Sequence, residues 1–195
     1  MIIHYQSGIG YNEGMYAILD AGLVVLIVGL AVLATAMVVH GYFMLRNRVP
    51  YVALPNAAIG MVVSQLGVGD DDVVYDLGCG DGRVIAAVQN FNPNARYTGV
   101  ENNPLIWMMA VVRLRVRARI VRGEIADAKL REATRVFVYL GPKLMAQLEP
   151  RFERELPKGA RVVSVQFPLP SRTPDAEMEL VGSTSYAARL YVYNY

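Results

Sequence analysis

The hydrophobic positions change rhythm near residue 55. From Ala21 to Val39 the nineteen residues AGLVVLIVGLAVLATAMVV hold no charge and one polar side chain, Thr35. At about 1.5 Å per residue such a run covers the ~30 Å of a bilayer core. It predicts a membrane-spanning helix over 21–45. A cleaved signal peptide is the rival reading, with Ala34-Thr35-Ala36 as its small-residue site, but it would carry positive charge before the run. Residues 1–20 hold no Lys or Arg, whereas Arg46 and Arg48 follow the run. The positive-inside rule then leaves the tail, 1–20, outside and everything after the helix in the cytoplasm.

Beyond a linker at 46–55, which contains Pro50 and Pro55, the rhythm shortens. NAAIGMVVSQLGV (56–68) has helical spacing. Short apolar runs then alternate with helical ones. Strands are predicted at Val73–Asp76, Tyr97–Val100, Arg119–Val121, Arg135–Leu140 and Arg161–Phe167. Helices are predicted at Arg83–Phe91, Pro104–Arg113 and Lys143–Leu156, the last broken or restarted near Pro150. This alternation means βαβ units and a mostly parallel sheet covered on both faces. AEMELVG and AARLYVYNY, near the end, have no helix between them and predict an antiparallel hairpin. The expectation is an α/β, Rossmann-like seven-stranded sheet over 56–195.

Composition narrows the chemistry. All 19 Lys and Arg lie at or beyond Arg46, with all but two of the 17 acids, Glu13 and Asp20. That small positive excess is too weak to imply nucleic acid. The single cysteine, Cys79, excludes an internal disulfide and any Cys-based zinc site, and no metal is expected. His4 and His40 lie outside the predicted domain, so a histidine base is excluded.

The densest chemical signal is VVYDLGCGDGRV, Val73–Val84. A strand ends near Asp76, and Gly78, Gly80 and Gly82 follow at alternate positions. Glycines there permit a tight turn and close backbone approach. The next helix then offers free N–H groups to an anion. A dinucleotide fingerprint would read G-x-G-x-x-G, but here the third glycine arrives one residue early. Asp76 would also repel a pyrophosphate while attracting an ammonium. S-adenosylmethionine carries an ammonium beside a carboxylate and suits the pattern. Glu101, in YTGVENNP at the next strand end, can accept both ribose hydroxyls. Glu124, in VRGEIADA, can meet the adenine amino group. Asn102, Ile125 and the backbone of Cys79 complete the candidate donor set, with Tyr51 folding over it from the linker.

DLGCGDGRV with GVENNP resembles the class I, seven-strand S-adenosylmethionine-dependent methyltransferases. PYVALP, VFVYLGPKLMAQLEPRFERELPKGARVVS and QFPLPSRTPD look like the membrane-anchored protein-lysine methyltransferases within them. The eukaryotic members of that family modify ATP synthase subunit c and the ADP/ATP carrier. The resemblance implies a lysine ε-amine on a membrane-associated protein as acceptor; a small membrane-soluble acceptor such as a quinone or lipid is the alternative. Leu105 and Arg172 stand where the family tends to have aromatics, and Arg172 could favour an acidic residue near the target lysine. Tyr139 and Phe167, with Pro142 and Pro168, are the candidates to line the acceptor channel. The run VVRLRVRARIVR (111–122) reads as a solvated helix end or as a contact for lipid headgroups.

Overall fold

The computed structural model describes residues 13–47, 53–180 and 188–195. The chain divides into two compact units, Met1–Arg46 and Asn47–Tyr195. Tyr51 and the tail before residue 13 lie outside the described residues.

The described part of the first unit is the helix α1 (Glu13–Asn47), longer at both ends than the predicted 21–45. Its stretch Asp20–Tyr42 has a mean hydropathy of 2.8 and is long and apolar enough to cross a membrane. It is apolar all round, and such a helix must be covered by protein or by lipid. Apolar side chains from Leu23 to Val38 are exposed. The Thr35 hydroxyl donates to the Ala31 carbonyl at 2.8 Å, so the stretch's one polar side chain between Ala21 and Val39 is satisfied within the helix.

The second unit runs α2 (Asn56–Leu66), β1 (Val73–Leu77), α3 (Arg83–Phe91), β2 (Arg96–Glu101), α4 (Pro104–Leu114), β3 (Arg119–Arg122), β4 (Arg135–Val138), α5 (Pro142–Glu155), β5 (Arg161–Val165), β6 (Ala176–Glu179) and β7 (Arg189–Asn194). The strands form one sheet in the order β3-β2-β1-β4-β5-β7-β6. The first five are parallel, and β7 pairs antiparallel with both β5 and β6. This is the seven-strand sheet with a closing hairpin that the alternation predicts.

Alternate strand residues feed two cores. Val74, Tyr97, Phe137 and Val163 join buried residues of α2, α3 and α4. Leu77, Val100, Val138 and Val162 join Met145, Leu148 and Phe152 of α5. Sheets buried on both faces need such near-continuous apolar strands.

One expectation is corrected. α5 runs unbroken through Pro150. A proline there lacks an N–H and crowds the carbonyl four residues back. That carbonyl belongs to Ala146, and both residues are exposed, so water can satisfy it. The buried Met145, Leu148 and Phe152 hold the helix to the sheet on either side of Pro150.

Candidate active site

Chain order reverses between β1 and β4: β2 and β3 are laid on one side of β1, β4 and β5 on the other. Open α/β sheets bind ligands at such switch points, beyond the carboxyl ends of the strands. Register brings those ends level: Leu77 lies opposite both Val100 and Val138, and Glu101 opposite Arg122. Asp76, Gly78, Glu101 and Tyr139 therefore fall along one rim.

The glycine loop leaves β1 tightly. The N–H groups of Gly78 and Cys79 both donate to the Val100 carbonyl, at 2.8 and 3.0 Å, and Gly82 N–H donates to the Cys79 carbonyl at 2.9 Å. Gly82 has a φ of 79° and ends the loop at the start of α3. A Cβ there would sit 2.7 Å from Leu114 Cδ1, so the close packing of loop on α4 requires glycine as well as the left-handed backbone.

Asp76 is 2% exposed, and its Oδ2 is buried without a hydrogen-bond partner. Burial pushes its pKa up to about 8, with Glu101 and then Asp81 adding to the effect. A buried, unpartnered carboxyl oxygen is costly, and a cationic ligand would relieve it. The carboxylate of Glu101 accepts Gly80 N–H at 3.1 Å and Asn103 N–H at 2.8 Å, tying the glycine loop to the end of β2. Burial holds its pKa above the ordinary value, against the pull of the backbone N–H groups of Asn103, Gly80 and Asn102. Asn102 donates to the exposed Glu124 at 3.3 Å, so two more members of the predicted set meet. Ile125 is half-buried against the α5-side core, and its carbonyl accepts from Arg151 at 2.9 Å. Arg151, ion-paired with Glu155 at 2.8 Å, thus fastens this loop to α5.

The two acceptor-side candidates are not brought together. Tyr139 follows the end of β4 beside the glycine loop and packs on the α2/α3/α4 core. Phe167 packs on the opposite, α5-side core. Arg172 is also committed elsewhere. Its guanidinium lies 4.1 Å from the Tyr195 ring centroid, bonds Glu153 at 2.6 Å and reaches the Asn194 carbonyl at 2.5 Å. It is therefore not the free partner for an acidic substrate residue that its position in the sequence suggested.

Three residues beyond the sequence-derived set shape the rim. Asp81, 2% exposed, is held by Arg83 at 3.0 Å and by Arg113 at 2.8 Å. These cations keep its carboxyl below the usual range despite burial. Arg113 also donates from Nε to the Asp81 carbonyl at 2.8 Å, so one guanidinium grips both backbone and side chain of the loop. Gln166, just past β5, has a left-handed φ of 72° and a buried Oε1 without a partner. The Asp-Gly pair at 81–82 hints at the first feature; nothing local signals the other two.

A buried acid, a glycine turn and a strand-end carboxylate form a site for a ligand with both cationic and hydroxyl groups. The profile of the family described as ANTKMT methyltransferase domain matches residues 76–176, from Asp76 through the whole rim. The chain belongs to this methyltransferase family. A protein-lysine N-methyltransferase of Saccharolobus islandicus is 35% identical over 152 residues, covering 74% of this chain and 94% of that protein. The adenine nucleotide translocase lysine N-methyltransferase of Mus musculus is 36% identical over 139 residues, covering 68% of this chain and 59% of that protein. Among solved structures, an RNA methyltransferase from Salinibacter ruber bound to S-adenosyl-L-homocysteine superposes with a TM-score of 0.66 at 28% identity, over 73% of this chain and 93% of that one. This methyltransferase is of the class I type, and its methyl donor is S-adenosylmethionine. The orphaned Asp76 oxygen fits the donor's ammonium. Among the described residues, no cluster of His, Cys, Asp and Glu could hold a metal ion.

Proposed function

We propose that this methyltransferase transfers the methyl group of S-adenosylmethionine to the ε-amine of a lysine on a protein at or in a membrane. In this reading residues 1–20 are a tail, 21–45 the anchor, 46–55 a linker and 56–195 the catalytic domain, on the cytoplasmic side. What carries lysine as the acceptor is the likeness to protein-lysine methyltransferases; the family match runs beyond the donor loop, through Tyr139 and Phe167. α1, apolar all round over Asp20–Tyr42, supports the anchor.

Within the site, Asp76 takes the donor's ammonium, and the backbone of Gly78, Cys79, Gly80 and Gly82 surrounds its methionine end. Glu101, with Asn102, accepts the ribose hydroxyls. Glu124 and the Ile125 backbone meet the adenine edge, and Tyr51 closes over the donor. The donor supplies a sulfonium methyl group. The lysine nitrogen forms a bond to that carbon as the carbon–sulfur bond breaks, and the bonding pair stays on sulfur. The amine must first lose its proton to water, since its ordinary pKa is about 10.4. A site that excludes water and carries the donor's positive charge favours the neutral amine. Tyr139, at the switch point, accepts a hydrogen bond from that amine and orients its lone pair. Positioning then supplies most of the acceleration.

Quantitative mass spectrometry of membrane proteins from cells with the wild-type chain or Asp76→Ala tests the reading. A lysine methylated only with the wild type is the expected result. Methylation confined to a lipid or quinone fraction would replace lysine by a small membrane-soluble acceptor.

A further inference from the structure

We propose that the outer face of α4 is a docking surface for an anionic lipid bilayer, which the catalytic unit lies against. α4 is apolar on all sides, PLIWMMAVVRL, yet only Ile106, Ala110 and Leu114 are buried beneath it. On the opposite side Met108, Met109 and Val112 are 52%, 50% and 69% exposed. They fall three and four residues apart and make one stripe. Val116, in the turn that follows, is fully exposed. Phe91 is 73% exposed at the end of α3, two residues from Gln89, whose amide donates to the Arg117 carbonyl in that same turn.

Arg115, Arg117 and Arg119 follow the stripe directly, all exposed. None of the three meets a carboxylate among the described residues. Exposed apolar side chains next to free arginines are complementary to acyl chains beneath anionic headgroups. Chain length fits too. The apolar stretch of α1 ends at Tyr42 and α2 begins at Asn56, a short tether that keeps the unit near the surface if α1 is anchored. To that extent the inference rests on the anchor proposed above. α4 starts two residues beyond Asn102, so docking along it would bring the donor site to headgroup level.

The chain's only tryptophan, Trp107, is half-buried in α4 and reports on this directly. Full-length protein is reconstituted into vesicles of phosphatidylglycerol or phosphatidylcholine, each with plain or brominated acyl chains, and Trp107 fluorescence is measured. Bromine should quench it in the phosphatidylglycerol vesicles, less so in phosphatidylcholine or at high salt. Met108→Glu with Val112→Glu should abolish the quench, and Arg115→Glu with Arg117→Glu and Arg119→Glu should remove most of it, with donor affinity measured in detergent, away from any bilayer, unchanged in both variants. No quench in anionic vesicles, or a quench that neither variant alters, overturns the inference. So does a Trp107 signal that depends on protein concentration rather than on lipid, which would mark a second copy as the occupant. Flotation after carbonate reads the anchor separately, and the quench decides docking whichever way flotation comes out.

Discussion

The proposed contact of the buried Asp76 with the donor's ammonium should make donor affinity depend on pH in a calculable way. Asp76 has its pKa pushed up to about 8, so it is mostly protonated at pH 7 before the donor arrives. One pKa unit is worth about 1.4 kcal/mol, so ionising it costs about 2.7 kcal/mol at pH 6, about 1.4 at pH 7 and little above pH 8. A charge-assisted hydrogen bond to the donor's ammonium returns roughly 1.5–3 kcal/mol. The balance is near zero at pH 6 and clearly favourable at pH 8. Above that the donor's own amino group, with an ordinary pKa of about 7.7–8.0, loses its proton. Wild-type affinity should therefore rise with pH by up to about tenfold per unit, crest near pH 8 and fall again. Asp76→Asn removes the rising limb. It should bind almost as well as wild type at pH 6 and about 5- to 80-fold more weakly at pH 8.

The same shift governs stability without donor. The folded pKa lies above the unfolded value of about 3.9, so the folded chain holds the extra proton between about pH 4 and pH 8. Stability is thus lost as pH rises through that window, by at most about 4 kcal/mol at pH 7. Asp76→Asn should melt at a higher temperature than wild type at pH 7 and at the same temperature near pH 4. Calorimetric titration with S-adenosylmethionine from pH 6 to 9 and melting curves without donor from pH 4 to 8 measure both effects. A flat wild-type affinity, or an Asp76→Asn loss that is equal at pH 6 and pH 8, would refute the reasoning.

Three further outcomes follow from the same rim. Glu101→Ala leaves Gly80 N–H and Asn103 N–H without their acceptor; it should cost roughly 1–3 kcal/mol of stability in urea titrations and weaken donor binding about 10- to 150-fold by calorimetry. Gly82→Ala forces a left-handed φ on alanine and drives its Cβ into Leu114; a loss of about 1–3 kcal/mol in urea unfolding is expected, and wild-type stability would mean that the turn tolerates a side chain. Burial first, then Asp76 and Glu101, push the Cys79 thiol far up; since only the thiolate reacts, iodoacetamide at pH 8 should label Cys79 in urea but not in the native protein, as read by intact mass.

The local elements were legible because each carries its own signal. β1 and β2 read as short β-branched runs ending in acids, and α3 opens directly on Gly82. Asp76, Glu101 and the loop between them could be placed together because the strands end level and the glycines allow one compact path. Features joining distant residues were not legible. Arg113 lies 32 positions from Asp81 and looked like one of several surface arginines, yet it grips the loop. Arg172 could not be seen to stack on Tyr195 across the closing hairpin. Tyr139 and Phe167 each follow a strand with the same pleat parity, but the left-handed turn at Gln166 sends Phe167 to the opposite face. Pro150 reads as a breaker wherever its solvent exposure is unknown.

The grip of Arg113 on Asp81 has a thermodynamic corollary. It makes the glycine loop and α4 one mechanical piece, with the turn proposed to hold the donor at one end and the exposed Met108–Val112 stripe along its back. Any preference that a filled donor site has for one setting of α4 must reappear, equal in size, as a preference of a lipid-seated α4 for the filled site. A methyltransferase wired in this way would load its donor more tightly on the membrane than in free solution. Arg113→Met, by cutting the wire, would make the two affinities the same.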